Sequence, residues 1–348
     1  MTTIADEVAR VTIGIDTHKD VHVTAVLDER GRLLGTQSFP TTGKGHRLLE
    51  RWATSFGEVD AVGIEGTGAW GAGVARHLTA KGHRVLEVDR PDRRTRRQRG
   101  KSDTIDAEAA ARAVQAGTAR GFPKARTQAV EAIRVLRVAR RSAVKARTQA
   151  AAQLHSLVST APQALRDQLR ALELADLVER CARFRPAETV DATQATKLAL
   201  RSISRRWQAL GDEIAAMDAA LAPVVEQAAP DLIALNGVGT QVAAQLLVTA
   251  GDNPDRLRSE AAFAHLCGVS PIPASSGRTD RHRLNRGGDR QANSALHRIV
   301  LARLRWDPRT RAYVARRTKQ GLSKREIIRC LKRYVAREVY RHLIRLAA

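Results

Sequence analysis

An apolar strand closed by an acid occurs twice in the first 65 residues, and nothing else in the chain constrains its fold as tightly. Val11-Thr12-Ile13-Gly14-Ile15-Asp16 reads as a buried strand ending on Asp16, and Ala61-Val62-Gly63-Ile64-Glu65 as one ending on Glu65. A carboxylate at the end of a central strand is costly unless it is solvated, paired or metal-bound. Neighbouring strands of a sheet lie only about 5 Å apart, so two such acids can converge on one place. Each is followed by a turn, Thr17 after the first and Gly66-Thr67-Gly68 after the second.

The segments between them complete an α/β layer. Apolar stretches at Val21–Leu27 and Leu33–Phe39, joined across Asp28–Gly31, predict an antiparallel meander with the first strand. A helix is expected over Gly43–Phe56 with Leu48, Leu49 and Trp52 inward, another over Trp70–Lys81, and a strand at Arg84–Val88. A helix opening at Asp103 ends the series. The order βββαβαβα implies a mixed sheet.

That last helix carries two more acids. Asp103 and Asp106 stand three apart at its head, so both carboxylates project from one face. Carboxylates so close repel each other unless a cation lies between them or one takes a proton. Taken alone, Asp103 reads equally well as a helix cap and Asp106 as a first-turn acid. Together, Asp16, Glu65, Asp103 and Asp106 supply enough oxygens for one or two Mg²⁺ ions. The preceding basic strip, with Arg93, Arg94, Arg96, Arg97 and Lys101, suits phosphates.

Lys and Arg total 59 against 36 acids, a net charge of +23 spread along the whole chain. Such a field favours a polyanion, with nucleic acid ahead of a membrane surface or a ribosome-like assembly. Only 3% of the residues are aromatic, which favours phosphate contact over base stacking. Cys181, Cys267 and Cys330 are far apart and lack CxxC spacing, so reduced thiols in a cytosol are expected. No apolar run reaches membrane-spanning length and no signal pattern opens the chain, which places it in the cytoplasm, near the nucleoid.

From about Thr127 to Ala229 the sequence predicts long helices broken near Pro162 and Arg185-Pro186. Ile203, Trp207, Leu210, Ile214, Met217, Leu221 and Val224 step by four and three, the spacing of a coiled-coil seam. Two readings remain open: an arm that pairs copies of the chain, or a stripe packed on the preceding helix, Val130–Leu157. The basic face with Arg134, Arg137, Arg140, Arg141, Lys145 and Arg147 reads either as solvated surface or as a contact for nucleic acid.

Leu235-Asn236-Gly237-Val238-Gly239-Thr240 opens an apolar helix, and its backbone N–H groups at Gly237 and Gly239 suit a phosphate, as in a helix-hairpin-helix. Phe263–Asp289 then turns to Gly, Pro, Ser and Arg, the composition of a functional surface loop, before a helix over Gln291–Leu304. A serine before Gly277, ringed by Arg278, Arg281, Arg283, Arg286 and Arg290, suits a nucleophile for phosphorus whose transition-state charge the guanidiniums stabilise. A phosphate-binding loop with a passive serine fits the same residues. Beyond Asp307 the chain is strongly basic, but Ile327, Ile328, Leu331, Val335, Val339 and Leu343 keep a helical apolar stripe.

Three blocks, GIDTHKD, GIEGTGAWG and KSDTIDAEAAARA, resemble those of the DEDD insertion-sequence transposases, RNA-guided serine recombinases with a RuvC-like N-terminal domain. The resemblance implies an α/β RuvC-like (RNase H-like) domain over 1–124, a helical coiled-coil region over 125–229 and a mainly α-helical transposase domain over 230–348. It makes Asp16, Glu65, Asp103 and Asp106 the acids of the family site, with Mg²⁺. It aligns Ser276 with the family serine, with Ser275 as the near alternative. It further implies a covalent phosphoserine link to double-stranded DNA at the element ends and target, and a structured guide RNA. Because the acids and the serine fall in different domains, assembly between subunits of a dimer or tetramer is the expectation. A metal-dependent nuclease or junction resolvase with an inert serine is the rival enzyme, and a non-catalytic nucleic-acid-binding protein the rival of another class.

Overall fold

The computed structural model describes residues 9–89, 102–126, 128–188, 191–253, 256–279 and 281–345. The chain divides into two compact units. One runs to Ala125 and includes Gly251–Arg258; the other comprises Arg126–Ala250 and the chain from Ser259.

In the first unit β1 (Arg10–Thr17), β2 (Val21–Asp28) and β3 (Leu33–Pro40) form the antiparallel meander, while β4 (Glu58–Glu65) and β5 (Val85–Val88) continue the sheet in parallel. The strand order β3-β2-β1-β4-β5 makes β1 central, and it is buried from Val11 to Thr17. Alternation along the strands divides their side chains between two helical layers. Ile13, Ile15, Ile64 and Val85 pack with Leu49 and Ala53 of α1 (Gly43–Thr54) and Val74 and Leu78 of α2 (Ala72–Ala80). Ala25, Ala61 and Leu86 belong to the opposite face, with Ala107, Ala110 and Val114 of α3 (Asp103–Gln115). Among the described residues the observed order is the expected βββαβαβα. One inward assignment fails: Leu48 is 41% exposed, because the 100° step that turns Leu49 into the core carries its neighbour to the rim.

The second unit is helical apart from one small hairpin. Its middle contains α4 (Gln128–Ser159), α5 (Gln163–Leu169), α6 (Leu174–Ala182) and α7 (Ala192–Ala228). The two short helices return the chain, so α4 and α7 meet antiparallel. Arg206 bonds Gln153, Arg147 lies over the Trp207 ring, and Arg140 pairs with Asp218. α7 therefore packs along α4 of the same chain, with Ile203 and Trp207 of its heptad-like stripe in one cluster with Leu154 and Val158. Leu221 in that stripe is fully buried, whereas Ile203, Trp207, Leu210, Ile214, Met217 and Val224 are half-buried.

The remainder comprises α8 (Pro230–Ile233), α9 (Thr240–Ala250), α10 (Glu260–Leu266), the hairpin β6 (Ile272–Pro273) and β7 (His282–Arg283), then α11 (Arg290–Trp306), α12 (Pro308–Lys319) and α13 (Lys324–Arg345). The carboxylates of Asp289 and Asp307 cap α11 and α12. The predicted stripe of α13 is core, with Ile327, Leu331, Val335, Val339 and Leu343 buried. Cys181 and Cys267 are buried free thiols, and burial pushes their pKa values up to about 11 and about 12; Cys330 is half-buried. No helix among the described residues is long and apolar enough to cross a membrane.

Candidate metal centre and serine hairpin

The acids are positioned by two strands and one helix. β1 and β4 run parallel with Ile15 opposite Ile64, so Asp16 and Glu65 stand side by side one step further on. Alternation puts both on the face that carries Gly14 and Gly63, the face covered by α3. Those glycines set the distance between layers. A Cβ on Gly14 would stand 2.0 Å from the Ala107 carbonyl oxygen and 2.4 Å from the Ala111 nitrogen, and one on Gly63 would stand 2.6 Å from the Ala110 oxygen. Gly-Ile-acid thus recurs in both strands for one reason: the helix rests on backbone two residues before each carboxylate.

Ser102 starts α3, its hydroxyl accepting from the Ile105 nitrogen at 3.3 Å, so Ser102 and not Asp103 is the cap. Asp103 and Asp106 follow in the first turn, Asp103 exposed and Asp106 buried. The His18 imidazole lies between two of the acids, with Nε2 3.1 Å from Asp16 Oδ2 and 3.3 Å from Asp103 Oδ1. Ligand atoms of Asp16, His18 and Asp103 all fall within 4.8 Å of one another, close enough to share a cation. Burial holds the Asp16 pKa above the usual carboxylate value; His18 opposes this, while the charges of Asp106 and Asp103 add to it. A buried carboxyl whose charge is disfavoured by its acidic neighbours fits a cation-binding role. Thr17 fastens the neighbouring strand end, its hydroxyl donating to the Glu65 carbonyl at 2.8 Å.

His18 was not singled out by the sequence reasoning, although it sits two residues after Asp16. The signal was present: in a strand that continues to residue 17, the residue two beyond an acid returns to the same face.

The serine loop is a hairpin with its tip at Ser276–Thr279, where the two residues exchange backbone hydrogen bonds, both 3.1 Å. The two adjacent serines differ. The Ser275 hydroxyl accepts from the Arg281 nitrogen at 3.1 Å and donates to its carbonyl at 3.3 Å, so it braces the hairpin. Ser276 is exposed, and among the described residues no hydrogen bond engages its hydroxyl. Arg278, Arg281, Arg283, Arg286 and Arg290 are all exposed around the loop.

Other expected contacts fall out unevenly. Arg93, Arg94, Arg96, Arg97 and Lys101 lie outside the described residues. Gly237 (φ +80°) is closed in by α11, a Cβ there meeting Ala302 and the Ile299 oxygen at 3.2 Å, whereas Gly239 faces open space. Both glycines lie in the turn before α9, Gly237 half-buried and Gly239 exposed. On α4, Arg137 is no solvated cation. Its guanidinium donates to the Gln241 carbonyl at 2.8 Å and to Gln245 Oε1 at 2.7 Å, and burial lowers its pKa to about 10.

Comparison with known proteins bears on both regions. Residues 13–162 match the DEDD family model of IS110, described as Transposase, and residues 230–315 match that of the Transposase IS116/IS110/IS902 family. The first match contains all four acids, the second Ser276 and its arginines. The chain is also 31% identical over 136 residues to an insertion element IS110 uncharacterized 43.6 kDa protein of Streptomyces coelicolor. That similarity covers 38% of this chain and 33% of the relative. All three findings support a transposase family.

Proposed function

We propose that this chain is a transposase of the IS110 family that cleaves and rejoins the DNA strands of its own mobile element. One observation carries the reading: carboxylates from β1 and from the first turn of α3 gather around a single point, with Glu65 beside Asp16 on the same face. The arrangement fits a RuvC-like domain. Asp16, Glu65, Asp103 and Asp106 would hold Mg²⁺, with His18 between Asp16 and Asp103. When bound, the ion supplies charge neutralisation at a scissile phosphate.

The chain's own residues do the remainder. The Ser276 oxygen attacks phosphorus, a new Oγ–P bond forms, and the bond to the leaving strand's oxygen breaks. The serine proton passes to solvent, and the leaving oxygen takes one up. One phosphodiester replaces another, so the step reverses when a second strand end attacks and religates. Arg278, Arg281, Arg283, Arg286 and Arg290 hold the backbone and offset the charge that develops on the phosphate oxygens. Gly239 and the basic strip at Arg93, Arg94, Arg96, Arg97 and Lys101 add phosphate contacts. A structured guide RNA, implied by the family resemblance, is part of the proposal, and a net charge of +23 is compatible with a second polyanion. So is a homo-oligomer, because two strands must be exchanged.

Trapping a covalent protein–DNA adduct and mapping the modified residue tests this: an adduct on Ser276 is expected, and an adduct on another residue would refute its role. A second reading is a metal-dependent RuvC-like nuclease with an inert serine. It is favoured by the fact that the carboxylate cluster is formed within the first unit alone. Undiminished cleavage by Ser276→Ala would establish it.

A further inference from the structure

A cavity of about 930 Å³ lies wholly within the second unit, between residues 267–271, the chain at 282–290 and one flank of α13. Its volume is at the upper end of what small-molecule sites enclose. Its wall is cationic and its charge poorly compensated. Arg283, Arg286 and Arg329 line it, and none is held in an ion pair among the described residues. By contrast, Arg333 and Arg337 are tied to Glu260 of α10. The wall's own carboxylate, Glu326, accepts from the Ser323 nitrogen at 2.9 Å and its hydroxyl at 2.7 Å; these bonds, and to a lesser degree the charge of Arg329, hold its pKa down.

At the back stands Lys332. Its ammonium donates to Asn293 Oδ1 at 2.8 Å, and the Asn293 amide donates to the Cys267 and Gly268 carbonyls at 3.0 and 3.1 Å. This fixes a half-buried positive charge that makes no ion pair among the described residues; burial and the nearby Arg329 hold its pKa below the usual lysine value.

Ser270, His282, Asn285 and Arg290 add polar groups, and an apolar part of the lining is made by Val269, Pro271, Leu284, Leu322 and the ring of Tyr334. Tyr334 is 52% exposed, and an edge-to-face contact with Tyr313, centroids 5.7 Å apart, orients its ring. Unpaired guanidiniums beside a half-exposed aromatic ring and aliphatic walls suit an anion that carries a flat apolar group. A base within a duplex is stacked on both faces and cannot enter such a cavity.

We propose that this cavity binds a single unpaired nucleotide of a nucleic-acid strand, its phosphate on Arg283, Arg286 and Arg329 and its base against Tyr334. The inference rests on the nucleic-acid-processing function argued above and adds a second mode of contact to the backbone binding expected from composition.

The test uses the full chain and end-labelled hairpin duplexes, one perfectly paired and one with a single bulged nucleotide, each made as DNA and as RNA. Stacking of a base on an aromatic side chain is worth about 1–3 kcal/mol, so the bulged duplex should bind about tenfold more tightly. Tyr334→Ala and Arg329→Gln should each remove most of that preference while binding to the paired duplex persists, and Tyr334→Phe should retain it. The DNA and RNA arms show which strand supplies the nucleotide. Equal affinity for bulged and paired duplexes, or a preference that survives Tyr334→Ala, overturns the pocket and leaves the transposase reading standing. Failure to bind any duplex overturns both.

Discussion

The Cβ that Gly14 lacks would stand 2.0 Å from the carbonyl oxygen of Ala107, so β1 and α3 meet backbone to backbone. This contact lies two residues before Asp16 and one residue after Asp106. The packing of two layers and the position of the acids are therefore one structural fact.

Gly14→Ala forces the layers apart. Overpacking of this kind costs about 1–3 kcal/mol, and here backbone atoms must move, so the upper end is expected. Chemical denaturation should show the loss, and Mg²⁺ affinity should fall with it because α3 carries Asp103 and Asp106. Gly63→Ala, whose Cβ would meet the Ala110 oxygen at 2.6 Å, should behave alike. An unchanged metal affinity in a destabilised Gly14→Ala protein would separate packing from site.

Asp16 is buried and its charge is disfavoured by its acidic neighbours. Asp16→Asn should accordingly raise the Tm of the metal-free protein by a few degrees while abolishing strand cleavage. Mg²⁺ that binds only the folded chain stabilises it by about 2.7 kcal/mol at 100 times Kd. Thermal scans should show that increment in the wild type and little of it in Asp16→Asn or Asp103→Asn.

The two serines predict opposite outcomes. Ser276→Ala should leave stability within about 0.5 kcal/mol, as exposed positions do, and remove the covalent adduct. Ser275→Ala loses both bonds to Arg281, so it should loosen the hairpin and slow cleavage without preventing adduct formation. Mass spectrometry of trapped complexes distinguishes them.

On the opposite face of the sheet His22 is fully buried and stacks on His46, with ring centroids 5.6 Å apart. Burial, with the charges of His46 and His18, lowers its pKa from 6.5 to about 4. The unfolded chain therefore binds the proton first as pH falls, and stability must drop between those two values. The loss should approach roughly 2–3 kcal/mol by pH 4, at about 1.4 kcal/mol per pKa unit. Denaturation at pH 7.5 and 5 measures it, and His22→Phe should flatten the dependence.

Arg137 should behave as a structural residue. Arg137→Met leaves the Gln241 carbonyl and the Gln245 amide oxygen without their donor, at a cost of roughly 2–3 kcal/mol. The salt dependence of DNA binding should not change. A shallower salt slope would return Arg137 to the nucleic-acid surface.

Much of the first unit was legible because its signals are local. Strand alternation, turn residues and the acids at strand ends follow from the chemistry of adjacent positions, and among the described residues the eight elements appear in the expected order. The α7 stripe was legible as apolar and periodic, but its partner was not. A seam spaced by four and three packs equally well on a second copy or on an earlier helix. The short return through α5 and α6 brings α4 alongside it.

What the sequence by itself determined is the set of groups: four acids, a serine loop among arginines, and a positive charge suited to a polyanion. The tertiary structure decided which of them meet. It brought His18 between Asp16 and Asp103, engaged Ser275 and left Ser276 open, closed Gly237 against α11, and drew Arg137 into the interior. The physical reason is that periodicity assigns a residue to a face, whereas contact depends on the register and spacing of elements remote in the chain, which here rest on a few close backbone approaches such as that of Gly14 to Ala107.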